Sequence, residues 1–396
     1  MSDDGTIKEQ DNVDFCTLGM LIIDEIHFEG SRPPVYGILG GAGSFAVLGA
    51  RMVAGKQYGK AVSWIVDVGS DFPADVINTI QTWDTGCVIR EDKSRLTTRA
   101  WNGYGANEKR DFKYLTPKLR LEPFMLSQAQ IFSKTFHMVC SSERCIHIVE
   151  EILHKREELQ NHSTSIQSVT KPIFVWEPVP DRCTPEDQDK FLAASRMVDI
   201  VSPNELELGM MFGRPGWNEA DPEDRKLVQK ILHSGIGFDK QGTLVIRAGK
   251  DGSYSYSLGR KGTWLPAYHE TQADQASKVI DPTGAGNSFL GALAQGMISE
   301  GRQGHQIIET TLAASSPWDK IKTRWGNDGQ VPKAVICATV AAGFVVEQIG
   351  VPTVSMAEDG RETWNGTEFT ERLRIYTQRL CKTLEQSSSD HDWLED

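Results

Sequence analysis

The chain has 396 residues, with 42 Lys and Arg against 54 Asp and Glu, and a formal net charge of −12. So acidic a surface argues against a nucleic-acid backbone or an anionic membrane as the main partner, because both demand a basic face. The longest apolar stretch, residues 334–346, is too short to cross a bilayer and reads as a buried helix, so a cytoplasmic protein is expected. Seven cysteines stand scattered, without Cys-x-x-Cys pairs or histidines at zinc spacing, which predicts reduced thiols and no structural metal.

In chain order, residues 1–13 are polar and acidic and predict a disordered tail without a secretory signal. A short apolar strand is expected over Phe15–Asp24, and a helix over Ser44–Ala54 from the spacing of Ala46, Val47, Ala50 and Val53. Val62–Val68 reads as the next strand. Residues 85–115 carry β-formers around Gly103 and predict strands off the main sheet, forming a small lid together with residues 24–40. Cys145, Ile148, Val149, Ile152 and Leu153 share one helix face, and Thr184-Pro185 reads as a helix start.

Strands are expected at Ile173–Trp176, Val198–Val201 and Thr243–Ile246, and a helix over Ser288–Ser299 with Phe289, Leu290, Leu293, Met297 and Ile298 inward. Residues 301–330 have loop composition and read as a surface insertion; residues 386–396 read as a second disordered tail. The alternation of strand and helix predicts one α/β domain over 14–385, doubly wound and three-layered, with a mostly parallel central sheet and a small β lid.

The candidate chemistry lies in Asp281-Pro282-Thr283-Gly284-Ala285-Gly286-Asn287-Ser288-Phe289. Small residues at 284–286 let backbone N–H groups converge on an anion, and the helix expected next would add its dipole. On the residues alone a turn capped by Asn287 or Ser288 is an equal reading. Similarly, Asp24 can end a strand, Gly249 and Gly252 can turn a hairpin, and Ala338 to Ala342 can be helix packing. Ser202-Pro203-Asn204-Glu205 has the form of a capping box, which leaves Glu207 as the better cation candidate.

The stretch resembles the Asp-Thr-x-Gly-Ala-Gly-Asp motif of the PfkB, or ribokinase-like, carbohydrate kinases, with Pro282 and Asn287 departing from it. Four more stretches resemble that family in its order: Gly19–Asp24, Gly40–Gly43, Asn204–Glu207 and Val245–Gly252, with Ala334–Pro352 behind them. The resemblance implies ATP-dependent phosphoryl transfer to a hydroxyl of a sugar, nucleoside or similar small molecule. It implies an anion hole at Gly284, Ala285 and Gly286, with Asn287 at the general-base position. Substrate contacts are implied at Asp24, Gly40, Gly41, Phe45 and Arg99, and nucleotide contacts at Asn204, Arg247, Gly249, Gly252, Ala338 and Ala342. Mg²⁺ is implied near Glu207 through water, and a monovalent cation such as K⁺ near Asp281 and Thr283.

Phe45 stands where an asparagine is usual in that family, and Arg247 where a small hydroxyl residue is usual. The set of departures resembles a fungal branch that includes the maintenance-of-killer proteins. Asn287 cannot accept a proton as a carboxylate does, so a catalytically silent binding or scaffold protein on the same fold is the alternative. A dinucleotide-dependent oxidoreductase is the lesser rival, since Gly41-Ala42-Gly43-Ser44-Phe45-Ala46 opens a helix and Asp67 could hold a ribose. An exposed lid edge would allow two copies to pair.

Overall fold

In the computed structural model the described residues are 12–28, 32–104, 110–162, 170–270, 278–326 and 329–386. The first third of the chain runs β1 (Phe15–Thr17), β2 (Ile22–Phe28), β3 (Val35–Gly40), α1 (Ala42–Ala54), β4 (Val62–Val68), α2 (Ala74–Thr82), β5 (Gly86–Glu91), β6 (Arg99–Tyr104), β7 (Arg110–Tyr114) and α3 (Gln128–Ile131). The middle runs β8 (Thr135–Cys140), α4 (Ser142–Asn161), β9 (Ile173–Pro178), α5 (Gln188–Ser195), β10 (Ile200–Val201), α6 (Glu205–Met211), α7 (Pro222–Ser234), β11 (Thr243–Arg247), β12 (Ser253–Ser257) and β13 (Arg260–Leu265). The last part holds α8 (Ala285–Gly296), α9 (Gln303–Leu312), α10 (Ser316–Trp325), α11 (Gln330–Val345), β14 (Val354–Met356), β15 (Glu362–Trp364) and α12 (Phe369–Gln386).

Among the described residues, nine strands form the central sheet in the order β13-β12-β11-β10-β9-β8-β1-β4-β5. Pairing is parallel from β11 through to β5 and antiparallel at β11–β12 and β12–β13. Alternate residues of each buried strand serve opposite faces. Trp64, Val66 and Val68 of β4 join the core under α1, α8 and α11, whereas Ile65 joins the core under α4 and α7. Val175 and Val245 face the first core and Trp176 and Leu244 the second, so helices cover both faces in three layers.

The helix that carries the candidate motif is fixed by a close crossing. A side chain on Gly49 of α1 would overlap the Ser288 carbonyl, and one on Gly291 of α8 would overlap the Ala46 carbonyl. The two backbones therefore touch at glycines on both sides, which sets where the N-terminus of α8 points.

Four expectations change. The run Phe15–Asp24 is two strands in two sheets: β1 ends at Thr17, whose Oγ1 accepts the Gly19 N–H at 2.9 Å, and β2 opens the lid sheet. Among the described residues the lid has four strands in the order β3-β2-β6-β7, and residues 86–91, expected there, instead form a strand of the central sheet on β4. Residues 301–330 are not a surface insertion. Ile307, Ile308 and Leu312 of α9, and Trp318, Ile321 and Trp325 of α10, are buried at helical spacing in the first core. Residue 386, expected to open the C-terminal tail, closes α12. The tail expectations at 1–11 and 387–396 lie outside the described residues. The seven cysteines form no disulfide. Among the described residues, no helix is long and apolar enough to cross a membrane.

Candidate functional site

Gly284 is the N-cap of α8 and sits at φ 80°, a left-handed conformation natural to glycine. No side chain caps the helix there; the Ala285 N–H donates to the Pro282 carbonyl at 3.2 Å, and the N–H groups that follow keep their donors for another acceptor. A side chain on Gly284 would run into the ring of Phe45, which is 2 % exposed and belongs to the core. Phe45 thus supports Gly284 by packing, and its burial removes it from the expected set of direct substrate contacts.

Above this turn the structure gathers Asn287, Gly286, Arg247, Glu207 and Asn204, and adds one residue the sequence reading missed, Glu177. Asn287 donates its amide N–H to Glu177 Oε2 at 2.6 Å. Arg247 closes β11, where its backbone N–H bonds the Pro203 carbonyl at 3.1 Å. Its Nη2 reaches Glu177 Oε1 at 2.7 Å, the Ser202 carbonyl at 3.0 Å and Glu207 Oε2 at 3.2 Å. Nη1 lies against the Cα of Gly286, which has no room for a side chain.

Glu207 Oε2 also accepts the Asn204 N–H at 2.8 Å, while Asn204 Oδ1 accepts the Glu207 N–H at 2.8 Å. The capping box is therefore Asn204 with Glu207, two residues later than expected, and Glu205 is not part of it. Burial pushes the Glu207 carboxyl up to about 7, against the opposing pull of Arg247. Burial also works against the Arg247 charge, but Glu177 and Glu207 outweigh it and hold the guanidinium above its ordinary range. Below the cluster His137 bonds Thr17 Oγ1 at 2.9 Å, and burial first, then Arg247, bring its pKa down to about 3.

Asp24 and Arg99 belong to the lid. Asp24 is buried on β2 with its carboxylate against the Cα of Gly40, and Gly41 leads from β3 into α1. Arg99 opens β6 and grips Asp71 through Nε at 2.7 Å, with Nη2 on the Asp71 carbonyl at 3.1 Å. Asp71, also unforeseen, accepts the Thr97 N–H at 2.7 Å. Burial raises its pKa, but the bonds from Thr97 and Arg99 prevail and leave it below the usual carboxylate value.

On the other side of Arg247, Gly249 and Gly252 frame a single 3₁₀ turn. Ala338 is fully buried inside α11 and Ala342 is partly exposed one turn on. Asp281 is buried, and its Oδ1 accepts the Thr283 N–H at 2.9 Å, a local turn contact that needs no cation. A cleft of about 330 Å³ beside the Gly249–Gly252 turn is lined by Trp217, Tyr254, Trp264, Glu205, Lys250 and Asp251. The dinucleotide reading finds no support here: a side chain on Gly43 would overlap the Gly19 carbonyl, so that glycine serves a backbone crossing, and Asp67 holds Arg90 with two bonds of 2.8 Å.

The site residues lie at the carboxyl ends of parallel strands β9, β10 and β11, where ligands bind in open α/β sheets. A profile of the pfkB family carbohydrate kinases matches residues 14–356. The chain belongs to this family. Protein MAK32 of Saccharomyces cerevisiae is 33% identical to it over 390 residues, covering 93% of this chain and 94% of that protein. An uncharacterised protein of Schizosaccharomyces pombe is 33% identical over 381 residues, with the same two coverages. Among solved structures, ribokinase from Giardia lamblia matches with a TM-score of 0.61 at 18% identity, covering 94% of this chain and 99% of that one. A putative ribokinase II from E. coli, solved with ATP and Mg²⁺, matches with a TM-score of 0.57 at 16% identity, covering 93% and 99%.

The α8 N-terminus and the Arg247 edge beside Gly286 fit an anion. A divalent metal does not fit: the carboxylates of Glu177 and Glu207 already accept from Asn287, Asn204 and Arg247, and a fixed cation stands between them. Among the described residues, no group of three or more His, Cys, Asp or Glu could hold a metal ion. Glu207, expected to serve Mg²⁺ through water, is a capping and ion-pair residue through Oε2. Glu177 had a readable signal, since the apolar run Ile173–Trp176 ends on it just before a proline.

Proposed function

We propose that this chain binds ATP through Gly284, Ala285, Gly286 and Arg247, binds a small hydroxyl compound beside Asp24, Gly40, Gly41 and Arg99, and transfers phosphoryl groups slowly. The observation that carries the reading is the 2.6 Å bond from Asn287 to Glu177. An amide stands at the general-base position, and the carboxylate bonded to it, Glu177, is already engaged by Arg247 as well. In the transfer, an acceptor oxygen bonds to the γ-phosphorus as the bond to the β–γ bridging oxygen breaks, and the hydroxyl proton must leave. These residues orient and stabilise charge, but the amide at 287 cannot take that proton as a carboxylate does, which costs roughly 10²- to 10⁴-fold in rate. Positioning and charge stabilisation remain and sustain the residual rate.

Within this reading Gly249, Gly252, Ala338 and Ala342 line the nucleotide side, Asp281 and Thr283 mark the monovalent-cation position, and two copies pair through the lid edge. A second reading, a catalytically silent ligand-binding protein, is favoured by the double engagement of Glu177. Transfer of labelled phosphate from ATP across a panel of sugars, nucleosides and vitamins separates the two. The proposal expects slow transfer by the natural chain and faster transfer by Glu177→Gln/Asn287→Asp, in which an amide faces a carboxylate at 287. No transfer by either protein, alongside normal ATP binding, leaves the silent reading.

A further inference from the structure

The acidic pair that would attract a divalent metal already has a cation of its own. Glu177 and Glu207 are 9 % and 6 % exposed, too buried to be left as two uncompensated charges. Arg247 Nη2 is shared by both carboxylates and by the Ser202 carbonyl. The guanidinium holds its proton at any physiological pH, so this cation cannot leave by titration. Among the described residues the rest of the guanidinium has no partner: Nε is buried without one, and Nη1, against Gly286, has no acceptor. The Nη1 group of a fixed cation therefore stands next to the uncapped start of α8.

We propose that Arg247 is the resident cation of this site, standing where a divalent metal would, so that the chain takes a polyphosphate without one. The polyphosphate part rests on the reading of the α8 N-terminus given above; the exclusion of metal does not. A divalent ion entering between Glu177 and Glu207 would have to displace a guanidinium tied to both, whereas a phosphate gains the Nη1 group of the same side chain. Arg247 is in this sense a binding residue of the anion and a blocker of the metal.

Manganese, which takes the same oxygen ligands as magnesium and reports its free concentration by electron paramagnetic resonance, tests the exclusion alone. The natural chain should leave manganese free up to about 1 mM, Arg247→Ala should gain one site below about 0.1 mM, and adding Glu207→Gln should weaken that site about 10-fold or more. Uptake by the natural chain that Glu207→Gln abolishes, or no gain in Arg247→Ala, overturns the proposal. If Arg247→Ala fails to fold, Arg247→Lys keeps a cation and should still exclude manganese; binding by that variant overturns it equally. Calorimetry with ADP should give affinities within about 3-fold in EDTA and in excess Mg²⁺, and Arg247→Ser should lose about 10-fold in EDTA and recover it with Mg²⁺. Affinity about 10-fold tighter with Mg²⁺ in the natural chain contradicts the proposal. Absence of ADP binding in both buffers sinks the phosphate reading, while the manganese titrations still decide what Arg247 does.

Discussion

Restoring a carboxylate at position 287 should first cost stability, and the loss should depend on pH. In the natural chain Asn287 donates to Glu177 Oε2 at 2.6 Å. Asn287→Asp turns that donor into an acceptor and sets two carboxylates at about 3 Å, where an effective dielectric of about 20 gives a repulsion of roughly 5 to 6 kcal/mol. Keeping a proton on one of them is cheaper: holding an ordinary aspartate protonated at pH 7 costs about 4 kcal/mol, three pH units at about 1.4 each. The raised group retains its stability below the unfolded pKa and loses it as pH rises. Denaturant melts of Asn287→Asp should therefore approach the natural chain near pH 4 and fall behind by up to about 4 kcal/mol at pH 7. Glu177→Gln/Asn287→Asp should recover to within about 1 kcal/mol with little slope, because the amide introduced at 177 donates to the carboxylate introduced at 287 and still accepts from Arg247. A single variant as stable as the natural chain at every pH, or a double variant no better than the single, refutes the reasoning.

Three other perturbations test separate parts of the account. Gly291→Ala places a methyl inside the Ala46 carbonyl, so the α1–α8 crossing must open; the loss should be about 1–3 kcal/mol, and an unchanged melting midpoint contradicts the close contact. Asp71→Ala removes the acceptor of Thr97 N–H and of Arg99 Nε, and amide exchange at Thr97 should quicken about 10-fold, with no change arguing that Asp71 does not hold the lid base. Glu207 and His305 should pull the stability profile in opposite directions. Burial raises Glu207 from 4.5 to about 7, so its contribution is lost as pH rises through that window and Glu207→Gln gains on the natural chain there. Burial lowers His305 from 6.5 to about 4, with neither ring nitrogen partnered among the described residues, so its contribution is lost as pH falls through that window and His305→Phe flattens that limb. Parallel profiles for all three proteins would contradict both assignments.

The parallel strands were legible because strands buried on both faces are continuous apolar runs; Val62–Val68 and Thr243–Arg247 announce themselves that way. What such a run does not reveal is which sheet it enters, and so Phe15–Asp24 hid a passage from central sheet to lid at Gly19-Met20. Residues 301–330 looked like a loop because polar residues and glycines dilute them, although the spacing of Ile307, Ile308 and Leu312 carries the helix. At the site, backbone chemistry was readable in Gly284–Gly286, and the departures at Asn287 and Arg247 stood out from the family motif. Their meaning depends on Glu177, which is distant in sequence and meets both only after β9 and β11 enter one sheet. The frame of the capping box also needed structure, since Asn204 and Glu205 both follow Pro203 and only geometry selects Asn204 with Glu207.

Titration calorimetry of ATP into the natural chain and into Gly286→Val tests the central claim most directly. Valine at 286 has no space beside Arg247 Nη1 and must push that group from the start of α8. Saturable ATP binding by the natural chain, weakened about 10-fold or more in a folded Gly286→Val, is the predicted result. No binding by the natural chain, or equal affinity in the two proteins, would contradict it.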